Sequence, residues 1–156
     1  MKTKIALGAI AMSIASFSVT ANTKNPAAEQ AGKKIFTAFQ HNAFMEYNSL
    51  VPSLPELLQV MDANASFYGA YLSDAKAEIT KQYERDIKGI ETSFINAVEQ
   101  GKMNHISWEK AKFVSAEREN ENLIIEFTVD GKSHKMEVAV AEIEGELHAG
   151  KFIAFI

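Results

Sequence analysis

The residue types that most often carry metal or acid–base chemistry are sparse in this sequence. Its four histidines are His41, His105, His134 and His148, and it contains no cysteine. No two histidines have the i, i+4 spacing of a helical zinc site, and zinc sites built from cysteine are not available to this chain. The sequence therefore predicts no metal site and no cofactor.

Two of these histidines lie in the C-terminal part of the chain, where strands are predicted. A turn centred on Gly145 would place His148 opposite Glu142 and His134 opposite Ile156. The two histidines would then be several residues out of register. At that separation they could not share a metal ion.

Acid–base catalysis needs titratable side chains that a pocket removes from water. Six residues of suitable type could line a space between helices and sheet: Asp62, Tyr68, Tyr71, Tyr83, Asp86 and His105. No motif gives any of them a role, and tyrosines in such places are commonly core or boundary residues. Nucleophilic catalysis has no support, because the chain lacks a cysteine and a Gly-x-Ser-x-Gly elbow. The chain also has no glycine-rich loop before a helix that could bind phosphate.

Aromatic side chains provide the other candidate binding residues. Phe36, Phe39, Phe44 and Tyr47 fall loosely along one side of a predicted N-terminal helix, where core packing is the default. If that helix were only loosely docked, the stripe would instead form a partner-binding face. Trp108, the only tryptophan, is expected to pack a helix end onto the first strand, with ligand stacking as the alternative.

The helices that would position these residues are predicted by capping signals and periodicity. Ser53 and Glu56 have the spacing of a capping box, with Pro55 in the first turn. A long helix is predicted over 73–100. The preceding residues 63–72 either form a separate turn or, as we favour, continue this helix with a break near Gly69. Its apolar stripe consists of Ile79, Tyr83, Ile87, Ile90, Phe94 and Val98, the spacing of one continuous helix face.

After Gly101 the apolar period changes to that of strands. Asp130-Gly131 is a strong two-residue hairpin signal between two such strands. It predicts a register with Ile125 opposite Met136, Glu126 opposite Lys135, and His134 opposite Phe127 on the apolar face. In the last strand, Gly150 is a candidate β-bulge. The Asp130-Gly131 turn also predicts that Leu123 lies opposite Val138 and that Val129 lies opposite Lys132.

The order of elements predicts an α+β fold in one domain over residues 27–156. Helices occupy 27–100 and strands 108–156, and short connections between the strands favour a four-stranded antiparallel meander. The sheet needs cover for its apolar face, and the stripe of the long helix is the expected partner.

The first residues have the three-part pattern of a secretory signal peptide. Lys2 and Lys4 precede an uncharged stretch over 5–19, and Val19-Thr20-Ala21 supplies a cleavage site after Ala21. The stretch is shorter than the roughly 20 apolar residues that a membrane anchor needs. We therefore expect a signal peptide over 1–21, a flexible segment over 22–26, and a secreted or periplasmic product without a membrane span.

Composition excludes several partner classes. The 156 residues are 47% hydrophobic and 23% charged, which is ordinary for a globular chain. The net charge of −4 becomes −6 when Lys2 and Lys4 leave with the signal peptide. An acidic domain lacks the electrostatic footprint of a nucleic-acid-binding protein, and a basic membrane-binding face is not expected.

Several stretches together resemble a known group of domains. A helix end at 94–101 leads into 106–108, then a strand over 123–127, the Asp130-Gly131 turn and a closing Gly150-Lys151-Phe152. This layout resembles the small secreted bacterial domains with a cystatin-like or nuclear-transport-factor-like α+β fold. The resemblance implies a long helix packed across a curved antiparallel sheet. Ketosteroid isomerase, on a similar fold, places Tyr and Asp between these layers, so the resemblance also implies that a pocket is possible.

The leading functional hypothesis is a non-catalytic binding or interaction module for a protein, peptide or small apolar ligand. The alternative is a small pocket enzyme of the isomerase or dehydratase type that uses Tyr, Asp or His as acid and base. A third possibility is an inhibitor-like protein that acts through exposed loops such as 119–122. The candidate ligand- or partner-binding residues are Phe36, Phe39, Tyr47, Tyr68, Tyr71, Trp108 and His134.

Overall fold

The computed structural model describes residues 25–156. The predicted signal peptide over 1–21 and most of the predicted flexible segment over 22–26 lie outside these residues. The last two residues of that segment are ordered at the start of a helix, because the Asn25 side chain accepts a hydrogen bond from the Ala27 backbone N–H at 3.0 Å and Pro26 begins the helix.

Helices fill the first part of the described chain. They are α1 (Pro26–His41), α2 (Phe44–Asn48), α3 (Leu54–Ala63), α4 (Ala65–Tyr68) and α5 (Leu72–Met103). Single 3₁₀ turns lie at Gly69–Tyr71 and Trp108–Lys110. Four strands follow: β1 (Lys112–Glu119), β2 (Asn122–Val129), β3 (Lys132–Ile143) and β4 (Glu146–Phe155).

The helix boundaries follow local sequence signals. Ser53 and Glu56 form the predicted capping box at the start of α3. The predicted break falls at Gly69, whose φ of +55° lies in the region that favours glycine. The predicted single N-terminal helix is interrupted by Asn42, which adopts a left-handed conformation (φ 49°) and ends α1. Its aromatic stripe is therefore divided between α1 and α2.

The strands form one antiparallel sheet in the order β1-β2-β3-β4. The predicted register of the Asp130-Gly131 hairpin is confirmed, with Ile125 opposite Met136 and Glu126 opposite Lys135. The fold class is therefore confirmed as α+β with a long helix on a four-stranded meander.

The β3–β4 hairpin differs from its predicted register. Its turn is the two-residue Glu144-Gly145, both with positive φ, so His148 pairs with Ala141 rather than with Glu142. The cause is that a two-residue turn has its centre between the two residues and not on the glycine. A one-residue error of this kind moves a side chain to the other face of the strand.

The candidate bulge at Gly150 is present in β4. The register shifts between the pairs Val140–Ala149 and Val138–Ile153, so the segment from Gly150 to Phe152 lies opposite a single residue of β3. The shift also corrects the expected pairing of His134 with Ile156. The Ile156 backbone N–H donates instead to the Lys135 carbonyl at 3.1 Å.

Two clusters of buried apolar side chains hold the elements together. The larger cluster, called here the main core, joins α1, α2 and the C-terminal half of α5 to the covered face of the sheet. The smaller cluster, called here the second core, joins α3 and the N-terminal half of α5 to the end of β3. Its buried members are Leu57, Val60, Met61, Ala75, Ile79 and Ile143.

The long-helix stripe therefore has two packing partners instead of the one that was predicted. Ile90, Phe94 and Val98 are buried in the main core, whereas Ile79 belongs to the second core. Tyr83 lies between them and is only partly buried. The sheet does not need the whole stripe, because α1 also contacts β1, β2 and β4.

Candidate functional site

Four of the predicted binding residues are core residues in the structure. Phe36, Phe39 and Tyr47 are at most 2% exposed and Trp108 is 6% exposed. The Phe39 and Phe94 ring centroids lie 4.7 Å apart. Because α1 is firmly docked, its aromatic stripe is not an exposed partner-binding face. These rings occupy the interface between helices and sheet.

The polar atoms of two of these rings are satisfied within the core. The Tyr47 hydroxyl donates to the Gly150 carbonyl at 2.7 Å, and burial raises the pKa of Tyr47 far above its usual range. The Trp108 indole N–H donates to the Val98 carbonyl at 3.4 Å. Trp108 therefore packs the end of α5 against the sheet. This is the packing role predicted for it, and not the alternative of ligand stacking.

The other predicted aromatic residues lie at the corner between α3 and α5. Tyr71 is 76% exposed and Tyr68 is partly buried against the second core. Phe67 is 74% exposed and packs edge-on against Tyr68 at a centroid distance of 5.3 Å. We call Phe67, Tyr68 and Tyr71 the aromatic corner. Phe67 was missed because no periodic pattern distinguishes an exposed ring from a buried one.

His134 lies where the hairpin register placed it. It pairs with Phe127 across β2 and β3, and the two rings stack at a centroid distance of 5.5 Å. His134 is partly exposed, and neither of the cavities described below includes it. Its contacts are those of a boundary histidine that covers a core phenylalanine.

The six candidate acid–base residues do not converge. Asp62 forms an exposed ion pair with Lys76 at 2.7 Å, and His105 is exposed. The Tyr83 hydroxyl donates to the Pro52 carbonyl at 3.2 Å, and partial burial raises the pKa of Tyr83. None of the six lines either cavity described below. The arrangement gives no acid–base pair from this set.

A different group of polar side chains does converge, between the start of α3 and the β3–β4 turn. The α3 cleft, as we call it, has a cavity volume of about 110 Å³. Its lining residues are Glu56, Gln59, Ile143, Glu144, Glu146 and His148. Strand pairing aligns His148 with Ala141 and Glu146 with Ile143, which brings one face of the hairpin end against α3.

Glu56 is the most constrained carboxylate of the α3 cleft. Its Oε2 accepts hydrogen bonds from the Ser53 hydroxyl at 2.6 Å and from the Ser53 backbone N–H at 2.7 Å. These two bonds, together with a smaller effect of His148, hold the pKa of Glu56 below its usual value. Glu56 is therefore an ionised carboxylate at neutral pH.

The remaining polar groups come from the turn and from the strand after it. Gln59 donates through Nε2 to Glu144 Oε1 at 3.0 Å, which ties α3 to the turn. His148 is 9% exposed and lines the α3 cleft. Sequence reasoning missed this site because the register error placed His148 on the other strand face. The Glu144-Gly145 pair is a weaker turn signal than Asp-Gly, and it is the sequence feature that could have indicated the correct face for His148.

A second, open depression lies between α1 and α2 and has a volume of about 560 Å³. Lys33, Lys34 and Glu46 are among the residues that line it, and all three are exposed. Among residues 25–156, no group of three or more His, Asp and Glu side chains is arranged to hold a metal ion. Within the same range, no helix is long and apolar enough to cross a membrane.

Comparison with known proteins finds no family model, no curated protein and no solved structure that matches this chain. The layout of a long helix and a four-stranded antiparallel sheet is compatible with a cystatin-like fold. Among residues 25–156, the candidate functional features are therefore the aromatic corner and the α3 cleft.

Proposed function

We propose that the protein is a non-catalytic interaction module whose partner is a protein or peptide. The observation that carries this proposal is the aromatic corner, where Phe67 and Tyr71 are each about three-quarters exposed within a short, glycine-broken segment. Rigid aromatic side chains supply much of the binding energy at protein interfaces, because they bury large areas at a small cost in conformational entropy.

The interior favours a macromolecular partner over a small apolar ligand. A pocket for such a ligand would be expected between the helices and the sheet, where similar folds keep one. That interface holds mutually packed rings, including Phe36 against Phe127 at 5.5 Å and Trp108 against Phe127 at 5.4 Å. The α3 cleft, at about 110 Å³, is smaller than the roughly 300–1,000 Å³ of common ligand pockets.

The pocket-enzyme alternative has less support. Its candidate residues are dispersed, and the small volume of the α3 cleft leaves little room for a substrate beside Glu56 and His148. The inhibitor-like alternative through loop 119–122 also has less support. That turn is a tight connection in which Glu119 pairs with Asn122, and it presents no exposed aromatic anchor.

Export and fold kinship are further parts of the proposal. The basic start and small-residue cleavage site over 1–21 support a secreted or periplasmic location. The helix-on-meander layout supports kinship with cystatin-like or nuclear-transport-factor-like domains. N-terminal sequencing of the protein from fractionated source cells tests export. The expected first residue is Asn22 in an exported fraction, and a cytoplasmic protein that retains residue 1 would contradict export.

Site-directed photo-crosslinking in the source cells tests partner binding. A photoreactive phenylalanine analogue at position 67 should give an adduct of defined mass, whereas the analogue at Thr92, an exposed position on α5, should give none. Tyr71→Ala in the position-67 protein should reduce the adduct severalfold. Absence of an adduct at 67, or equal adducts at 67 and 92, would remove the support for this surface.

A further inference from the structure

The segment between α3 and α5 contains an acceptor sequence for N-linked glycosylation. Asn64, Ala65 and Ser66 match the pattern Asn-x-Ser, in which the middle residue is not proline. Asn64 is the only asparagine in the sequence with serine or threonine two positions later and a residue other than proline between them. Asp62 precedes it by two positions. Residues 62–66 therefore have polar side chains at three alternate positions.

This alternate spacing places the three polar side chains on one side of an extended chain. In an extended backbone, side chains at positions i, i+2 and i+4 point to the same face. An enzyme that binds residues 62–66 in an extended conformation would therefore meet the carboxylate of Asp62, the amide of Asn64 and the hydroxyl of Ser66 together. The carboxylate can pair with a cationic group of such an enzyme, and the hydroxyl can form a hydrogen bond beside the amide.

The structure allows this segment to become extended at a low free-energy cost. Asn64 ends α3, and the four-residue helix α4 and the 3₁₀ turn after it contain no buried residue. The ion pair between Asp62 and Lys76 is partly exposed, and such pairs contribute little to stability. Segments with few buried contacts open locally while the rest of a domain stays folded. An enzyme could therefore bind residues 62–66 before or after the domain folds.

The folded structure also accommodates a sugar on Asn64. The residue is exposed, and N-linked glycans occupy exposed positions of secreted proteins. Its side-chain amide donates one hydrogen bond, from Nδ2 to the Val60 carbonyl at 2.8 Å. A side-chain amide has two N–H donors, and attachment of a sugar replaces only one of them. The bond that ends α3 can therefore remain after modification.

We propose that Asn64 is N-glycosylated during export by an oligosaccharyltransferase that recognises residues 62–66. This inference rests on the export part of the proposed function, because the transferase acts on exported chains. The co-substrate is an oligosaccharide linked to a lipid through pyrophosphate. The Asn64 amide nitrogen forms a bond to the anomeric carbon of the first sugar, and the bond from that carbon to the pyrophosphate oxygen breaks. The pyrophosphate leaves with the bonding electron pair, and one amide proton passes to a base of the transferase.

A glycan at this position lies beside the aromatic corner. The Phe67 backbone N–H donates to the Asn64 carbonyl at 2.9 Å, so Asn64 lies one helical turn before Phe67. A glycan is bulky and hydrophilic. It would therefore restrict the directions from which a partner can approach the aromatic corner.

Mass spectrometry of the protein purified from the source cells tests the inference. The intact mass should exceed that of residues 22–156 by the mass of an oligosaccharide, and peptide fragmentation should locate the added mass on Asn64. Asn64→Gln and Ser66→Ala should each abolish the added mass, because each removes a residue that the acceptor pattern requires. Asp62→Asn should reduce the glycosylated fraction severalfold. Asn96→Gln, at an exposed position on α5 outside any acceptor sequence, should leave that fraction unchanged.

The inference is overturned if the exported protein has the unmodified mass of residues 22–156, or if the added mass lies on another residue. An added mass that survives Ser66→Ala would also overturn it, because the modification would then not depend on the acceptor sequence. A fraction unchanged by Asp62→Asn would contradict the role of the carboxylate. N-terminal sequencing of the same sample separates the two proposals. A protein that begins at Asn22 without a glycan contradicts glycosylation alone, whereas one that retains residue 1 contradicts export as well.

Discussion

The main core and the second core differ in residue composition and in the number of helices and strands that contribute side chains to them. The main core contains the fully buried rings of Phe39, Tyr47 and Phe94 and draws on three helices and all four strands. The buried side chains of the second core carry no aromatic ring and lie between α3, one half of α5 and Ile143. Partly exposed side chains such as Tyr83 pack against them. The free energy of unfolding should therefore depend mainly on the main core.

The candidate binding surfaces lie beside the smaller of the two cores. The aromatic corner and the α3 cleft both flank the second core, at opposite ends of α3. Segments with fewer buried contacts open at a lower free-energy cost than the rest of a domain, and binding surfaces are often drawn from them. On the proposed function, the main core provides a rigid support and the binding surface flanks the second core.

Truncation of Phe94 in the main core should have the largest effect on stability. Phe94 is 1% exposed and contacts Phe39, Phe44 and Tyr47. Phe94→Ala removes a ring that several elements share, so we expect a loss of about 3–5 kcal/mol in the free energy of unfolding. Chemical denaturation measures this loss.

If Phe94→Ala does not fold, Phe94→Leu provides the measurement, with a smaller loss because most of the volume remains. Hydrogen exchange should rise throughout the domain in either variant. A loss below about 1 kcal/mol in both variants would contradict the dominant position of the main core.

Truncation of Met61 in the second core should have a smaller and more local effect. Met61 is fully buried between α3 and the N-terminal half of α5. Met61→Ala should cost about 2–3 kcal/mol, near the low end for such changes because a small cluster can relax around the cavity. Amide exchange should rise most in α3 and in α5 up to residue 83. A uniform rise that includes β2 and β3 would show that the two cores unfold as one unit.

The close approach of α1 to β1 gives a packing test within the main core. A Cβ added at Gly32 would lie 2.1 Å from the Ala116 Cβ, so Gly32→Ala forces the helix away from the strand. We expect a loss of about 1–3 kcal/mol, although alanine is the better helix former. Ala116→Gly, added to the Gly32→Ala variant, should recover part of the lost stability. Failure of this second change to restore any stability would contradict the close approach.

Two features that local sequence determines were predicted correctly, the Asp130-Gly131 hairpin and the start of α3. Asp130 and Gly131 adopt the positive φ values of a two-residue turn, and alternation then determines the β2–β3 register residue by residue. Ser53 and Glu56 define the start of α3 in the same local way. These predictions needed no information about distant parts of the chain.

The candidate site was not predictable by the same means, because it depends on the docking of distant segments. His148 reaches the α3 cleft through the exact centre of the β3–β4 turn and the packing of α3 on the hairpin end. Residues of the same type, such as Phe39 and Phe67, are buried in one case and exposed in the other. Only the tertiary arrangement separates them.

Loss of the α3 capping box should give the smallest change in stability, with a characteristic dependence on pH. Ser53→Ala removes the hydroxyl that donates to Glu56 and accepts from its backbone N–H. At pH 7 we expect a loss of about 1 kcal/mol in the free energy of unfolding. Ser73→Ala, at an exposed position in the first turn of α5, serves as the control and should change the stability by only a few tenths of a kcal/mol at every pH, because Ser73 lies outside any capping bond and alanine is a good helix former.

The pH dependence follows from the lowered pKa of Glu56. Ionised Glu56 stabilises the folded state at pH values above its ordinary pKa of 4.5, and this contribution is lost as the pH falls through the lowered pKa of the folded state. Ser53→Ala removes part of the cause of that lowering, so the variant loses less stability on acidification. The difference in stability between the wild-type protein and Ser53→Ala should therefore narrow as the pH falls below about 5. A difference that stays constant, as expected for Ser73→Ala, would show that Ser53 acts on the backbone of α3 alone and not through the charge of Glu56.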